Sequence, residues 1–130
     1  MKWFKLLIII TVILTIIFIG GWTNYKTETL YCSKNLNECQ VARINLFGIK
    51  STKKLLKYSD IKTAGYIRQK VKGNRYANGY TDYQLVFITK NNSRKIIFSE
   101  VYLEYPQISN KIKEIKHHLN NGSENFVIIR

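Results

Sequence analysis

The sequence predicts a chain that is mainly β with one C-terminal α-helix, an α+β domain built as a curved antiparallel sheet or barrel capped by that helix and carried on an N-terminal transmembrane helix. Three observations predict it. Residues 6–22, LLIIITVILTIIFIGGW, hold no charge over seventeen positions. The middle of the chain is a succession of short runs rich in β-branched and aromatic residues, separated by turn residues. After Pro106, the single proline, the apolar residues fall into helical spacing.

Seventeen helical residues rise about 26 Å, and adding Phe4 while Lys5 snorkels brings the run to the thickness of a hydrocarbon core. Trp3 and Trp22, the only two tryptophans, bracket the run where amphipathic rings favour the headgroup level. Residues 1–22 therefore read as an uncleaved signal anchor with Trp3, Lys5 and Trp22 at the membrane interface. A cleaved signal peptide would share the basic start and apolar stretch, but Ile19, Gly20 and Gly21 offer it a poor cleavage site with no alanine nearby.

The amino terminus, Lys2 and Lys5 make the leading flank positive, whereas in residues 23–41 Lys26 and Lys34 are offset by Glu28 and Glu38. The positive-inside bias thus favours a cytoplasmic amino terminus and an extracytoplasmic domain at the cytoplasmic membrane. Cys32 and Cys39, the only cysteines, flank the polar segment SKNLNE between two β-rich runs, so they would face each other across a hairpin. A bridge closing so short a loop stabilises by about 2–3 kcal/mol in the chain-entropy picture and persists in oxidising compartments. The alternative is a pair of reduced thiols in a cytosolic domain.

Residues 23–27 form a short tether, at most about 17 Å when extended. Residues 28–130 then read as one domain, large enough for one core and undivided by repeats or linkers. Its strands are expected at Glu28–Cys32, Gln40–Leu46, Thr52–Tyr58, Ile61–Val71, Tyr83–Thr89, Lys95–Ser99 and Asn125–Ile129. Phe47-Gly48 and Lys90–Ser93 read as turns, and Asn78-Gly79 within GNRYANGYT is a hairpin signal. In the fourth run, Ile61, Thr63, Gly65, Ile67, Gln69 and Val71 would share one face, and Tyr66, Arg68, Lys70 and Lys72 the other. A helix over about 106–121 follows from the stripe Ile108, Ile112, Ile115 and Leu119, with Lys116, His117 and His118 in its last turn and Asn121-Gly122 as its stop.

Three segments, KYSDIKTAGYIRQK, YQLVFITKNNSRKIIF and ISNKIKEIKHHL, give the stretch 28–121 an order that resembles the bacterial pleckstrin-homology-like domains, which set a curved antiparallel sheet under one C-terminal helix. The resemblance implies a domain that binds or scaffolds rather than catalyses. The cysteine pair and the trailing strand lie outside its pattern.

No constellation of catalytic residues emerges. The two histidines are adjacent and point about 100° apart on a helix, so both would hardly hold one ion. A zinc site from Cys32, Cys39 and a histidine matches no common spacing. Glu100 and Glu104 are the nearest carboxylate pair and read as solvated surface groups, and GNRYANG lacks the Lys-Ser/Thr ending and following helix of a phosphate-cradling loop. Neither an enzyme, a cofactor nor a metal is expected.

Charge is the remaining signal. The chain carries 21 Lys and Arg against 8 Asp and Glu, net +13, and all but Lys2 and Lys5 of the side-chain charge lies beyond residue 22. Arg68, Lys70 and Lys72 alternate along one strand, Arg75 and Tyr76 extend them into a loop, and Lys50, Lys53, Lys54 and Lys57 form a second cluster. Tyr66, Tyr76, Tyr80 and Tyr83 interleave with the first. The expected ligand is anionic: a lipid headgroup, an envelope polyanion or an acidic protein partner, with a single-stranded nucleic acid on the Arg68–Tyr83 hairpin as the contrasting class. Lysine used only as a solvating residue is the bland reading of the same pattern.

Overall fold

The computed structural model describes residues 1–122 and 124–130. Helix α1 (Lys2–Thr23) leads into β1 (Tyr25–Ser33), β2 (Glu38–Asn45), β3 (Lys50–Leu56), a 3-10 turn at Tyr58–Asp60, β4 (Ile61–Val71), β5 (Tyr80–Thr89), β6 (Arg94–Ile96), α2 (Tyr105–Asn120) and β7 (Asn125–Ile129).

Helix α1 is long and apolar enough to cross a membrane and almost wholly exposed on the protein surface, as a lipid-facing helix would be. Trp3 and Trp22 stand about 29 Å apart along its axis at standard helical rise, close to the thickness of a hydrocarbon core. The helix runs to Thr23 and β1 starts at Tyr25, so Asn24 alone separates them where the sequence suggested a tether over 23–27. Asn24 closes the helix: its backbone N–H and its Nδ2 both donate to Gly20 O, at 3.2 and 2.7 Å.

The strands form two antiparallel sheets, with orders β3-β2-β1-β7 and β4-β5-β6. This corrects the expectation of one curved sheet or a closed barrel. The chain leaves the first sheet at the turn Tyr58–Asp60, held by Asp60 N–H to Lys57 O and by Ser59 N–H to Asn37 Oδ1, so β3 and β4 do not pair. The terminal strand anticipated at Asn125–Ile129 is present and adds to β1. Strand β6 covers Arg94–Ile96 in place of Lys95–Ser99, and the chain beyond it stays against β5 through Ile97 N–H to Leu85 O and a bridge between Tyr83 and Tyr102.

The core lies between the sheets and under α2. Alternation on β1, β2 and β7 points Leu30, Cys32, Cys39, Val41, Phe126 and Ile128 inward. Ala64, Leu85 and Phe87 meet them from the other sheet and Ile97 and Phe98 from the segment following β6, and the expected helix stripe closes the side, with Ile108, Ile112 and Ile115 buried and Leu119 packed against them. Cys32 and Cys39 are direct cross-strand partners joined in a disulfide (Sγ–Sγ 2.06 Å), both buried at the end of the domain far from α1.

Two inward rungs nearer α1, beyond Leu30 and Val41, the pair on β1 and β2 is Glu28 opposite Arg43. Glu28 is buried and its carboxylate is fully engaged. Arg43 Nε donates to Oε2 at 3.1 Å, Ser99 N–H to Oε2 at 3.0 Å, Ser99 Oγ to Oε1, and Glu100 N–H to Oε1 at 3.4 Å. Glu28 therefore ties the first sheet to the segment following β6 on the second. Glu28→Gln keeps one acceptor oxygen but sets an NH2 donor in place of the other, against the donors of Arg43, Ser99 or Glu100, so it is expected to lower stability by about 2–4 kcal/mol. Urea unfolding of the full chain in micelles reads this; an unchanged midpoint would mean that apolar packing alone joins the sheets.

Candidate anionic-ligand surface

The basic residues singled out in the sequence fall on two separate elements. Lys53 and Lys54 stand on β3, an edge strand of the four-stranded sheet, and Lys57 follows it. Lys54 Nζ is 3.0 Å from Glu38 Oε2 in an exposed ion pair, so part of that cluster is already neutralised. Arg68 and Lys70 stand on β4, an edge of the three-stranded sheet, and Lys72, Arg75 and Tyr76 lie in the loop beyond. Among the described residues, Arg68, Lys70, Lys72, Arg75, Lys53 and Lys57 have no ion-pair partner.

A β-bulge decides which way the β4 residues face. The register of β4 on β5 slips between Ile61 and Thr63, which brings Ile61 to the same side as Ala64, opposite Phe87. The face of Tyr66, Arg68 and Lys70 is thus the continuation of the core face rather than its reverse, and Ile61 does not share the face of Thr63 and Gly65. Tyr66 sits opposite Leu85, Arg68 opposite Tyr83 and Lys70 opposite Thr81. Along this face the sheet changes from core to cation within four residues, with Arg68 and Lys70 about 7 Å apart.

Contacts along the domain fix where this arm lies. The disulfide, Phe126 and the end of α2 are together, since His118 stacks on Phe126 with ring centroids 5.0 Å apart and Phe126 pairs with Cys32. The start of α2 is at the other end, where Tyr105, Tyr66 and Tyr83 form a cluster of perpendicular rings with all centroids 5.7 Å apart. Tyr83 exchanges both backbone hydrogen bonds with Tyr102, and Arg130, paired with Glu100 at 2.7 Å, lies over the Tyr102 ring at 4.8 Å. Burial raises the Tyr102 pKa above its usual value, with the Arg130 cation opposing that rise. Arg130 N–H also bonds Glu28 O, three residues from the start of β1. Strands β4 and β5 continue past this level, away from the disulfide end, to the pair Val71–Tyr80.

The loop between them is built. Asn74 Oδ1 accepts from Tyr76 N–H and Ala77 N–H, both at 2.9 Å, and Asn74 N–H bonds Ala77 O at 2.8 Å. Its neck is pinched by two glycines: a Cβ on Gly79 would fall 2.7 Å from Gly73 N and 2.8 Å from Val71 O, and one on Gly73 would fall 2.5 Å from Gly79 N. The Asn78-Gly79 hairpin signal is thus corrected, since the turn is made at Asn74–Ala77 and Gly79 serves close backbone approach. The result is a finger with Arg75 and Tyr76 at its tip, Tyr76 being 90% exposed.

The residues weighed for chemistry do not assemble. Cys32 and Cys39 are bonded to each other, so neither offers a thiolate to zinc. Glu100 pairs with Arg130, and Glu104 sits at the start of α2. No group of three or more potential metal-ligating side chains occurs among the described residues. Sequence reasoning missed the glycine neck, because only the fold brings residues 73 and 79 into contact. The chain matches no protein-family model, no curated protein and no solved structure.

Gly79→Ala is expected to open the neck by backbone collision. Amide resonances of residues 72–79 should then move in NMR spectra of the full chain in micelles while those of Leu85 and Phe87 stay; unchanged loop resonances would show that the finger does not depend on the glycine contact.

Proposed function

We propose that this is a single-pass membrane protein whose domain binds anionic groups near the bilayer surface through the β4–β5 arm, acting as a binding or scaffolding module and not as an enzyme. The observation that carries the reading is the ordered finger of unpaired cations, Arg68, Lys70, Lys72 and Arg75, at the end of the domain away from the disulfide and joined by one residue to a membrane-length helix. Each such charge within a Debye length of an anionic leaflet contributes up to about 1 kcal/mol, and the attraction is screened as salt rises. The ligand class is an anionic lipid headgroup; an envelope polyanion or an acidic protein presents the same chemistry. Antiparallel strands in succession with an amphipathic helix over one side support the further assignment to the pleckstrin-homology-like domains, against which stand the two sheets and the final strand.

The test is hydrogen exchange of the full chain in nanodiscs. Residues 72–79 are expected to exchange about tenfold more slowly in anionic than in neutral lipid, an effect of two or so charge contacts that vanishes in high salt and in Arg68→Glu with Lys70→Glu. Equal exchange in the two lipids would remove the lipid reading. Protection by an added single-stranded oligonucleotide in neutral discs would favour nucleic acid instead, for which exposed Tyr76 beside Arg75 is the supporting feature.

We place the amino terminus in the cytoplasm and the domain outside the cytoplasmic membrane, from the positive leading flank and the buried disulfide. An impermeant amine-reactive label on intact spheroplasts should then modify domain lysines such as Lys34, Lys62 and Lys95 and spare Lys2 and Lys5. The reverse pattern would invert the orientation.

A further inference from the structure

We infer that the β2–β3 turn, Leu46–Ile49, is a second membrane-embedded element that enters the acyl-chain region of the leaflet from which the domain projects, packed against α1. The inference rests on α1 crossing the membrane and is independent of what the basic arm binds.

Depth is the first argument. The Phe47 ring stacks on Phe18 with centroids 5.8 Å apart, and it lies against Gly21, where the absence of a side chain leaves it room. Phe18 is inside the uncharged run, one helical turn and about 6 Å before Trp22, which also stacks on it. With Trp22 at the headgroup level, Phe47 reaches the depth of the acyl chains. Leu46 N–H donates to Gly21 O and Asn24 O, both at 3.1 Å, so this position is fixed by backbone contacts as well as by the ring.

Composition is the second. Leu46, Phe47 and Ile49 are exposed by 57, 47 and 47% of their surfaces, and no charge occurs between Arg43 and Lys50. An apolar tip continuous with the surface of a membrane helix meets the same solvent as that helix. Phe47 also walls an apolar groove with Thr11, Leu14, Thr15, Ile17 and Phe18. The Thr11 and Thr15 hydroxyls bond back to Leu7 O and Thr11 O, which satisfies them without water. A lipid acyl chain fits this lining.

The backbone supplies the third, independent argument. In hydrocarbon, backbone N–H groups must be satisfied within the protein. All four N–H groups of the turn are: Leu46 by the end of α1, Phe47 and Ile49 by Asn45 Oδ1 at 3.0 Å each, and Gly48 by Asn45 O at 3.0 Å. Gly48 takes φ +81°, the left-handed conformation that lets the turn close on the buried Asn45.

The test uses the full chain in nanodiscs, with Trp3→Phe and Trp22→Phe removing native emission and Leu46→Trp or Ile49→Trp as separate single reporters. Leu36→Trp, on the exposed disulfide-end hairpin, is the aqueous control. Resistance of the buried disulfide to mild reductant confirms folding of each variant, and either turn reporter suffices. Both turn reporters should lose most of their emission in lipids brominated on the acyl chains and resist acrylamide, with the control behaving oppositely. Acrylamide quenching equal to that of the control, with no response to bromolipid, would overturn the inference while leaving the span intact. Shielding from both quenchers would also overturn it, by showing protein, such as a second copy of the chain, over the turn. Failure of the chain to remain with the discs would overturn the span and the turn together.

Discussion

Two sheets that share no strand pairing must be held by what lies between them, and at the end nearest α1 the apolar core has run out. Glu28 takes over there. Its carboxylate is placed on the inward face by the same alternation that buries Leu30 and Cys32, and it accepts from Arg43 on its own sheet and from Ser99 and Glu100 on the segment following β6. A buried carboxylate is unfavourable unless its oxygens are satisfied, and these are, so the clasp has one good geometry and penalises others. Tyr102, reached three residues after Ser99, then meets Tyr83, and Arg130 packs over Tyr102 while bonding Glu28 O. The height of the β4–β5 arm relative to β1 depends on this set of contacts.

The junction with α1 extends the same logic below the domain. Only Asn24 stands between helix and strand, and the β2–β3 turn reaches back past it to Gly21 and Phe18. The hinge is therefore braced by a second strand pair, which limits how far the domain can swing about its anchor. A free five-residue tether would have allowed far more orientations; a single residue with a packed turn beside it allows few.

The elements whose signals are local were legible in the sequence. An uncharged run bracketed by tryptophans, a 3.6-residue stripe at Ile108, Ile112 and Ile115, and cysteines flanking a polar turn each report their structure within one short contiguous segment. The division into two sheets was not legible, because it depends on which strands pair, and runs of alternating residues carry little information about partners. The bulge at Ile61–Thr63 shifted the face of β4 by one residue, which no periodicity count anticipates. Gly73 and Gly79 read as generic turn residues, and Leu46 and Phe47 as the end of a strand and a bend, since their roles arise from contacts with residues 6 and 22 or more positions away. The cation cluster itself was visible, whereas its organisation as a finger came from the Asn74 turn and the glycine neck.

The weakness of individual surface charges bears directly on what such a finger could do. For a soluble domain, a few contacts of about 1 kcal/mol each would hardly overcome the loss of translational and rotational freedom on docking. On the proposed reading the anchor removes most of that freedom, so an anionic group at the bilayer surface would meet the arm at the high effective concentration that a short connection imposes. Arg68, Lys70, Lys72 and Arg75 would then choose among the few orientations that α1, Asn24 and the Phe47 contact permit. A rigid neck serves that choice, because charges held in one arrangement pay little further ordering entropy when they meet their counter-ions.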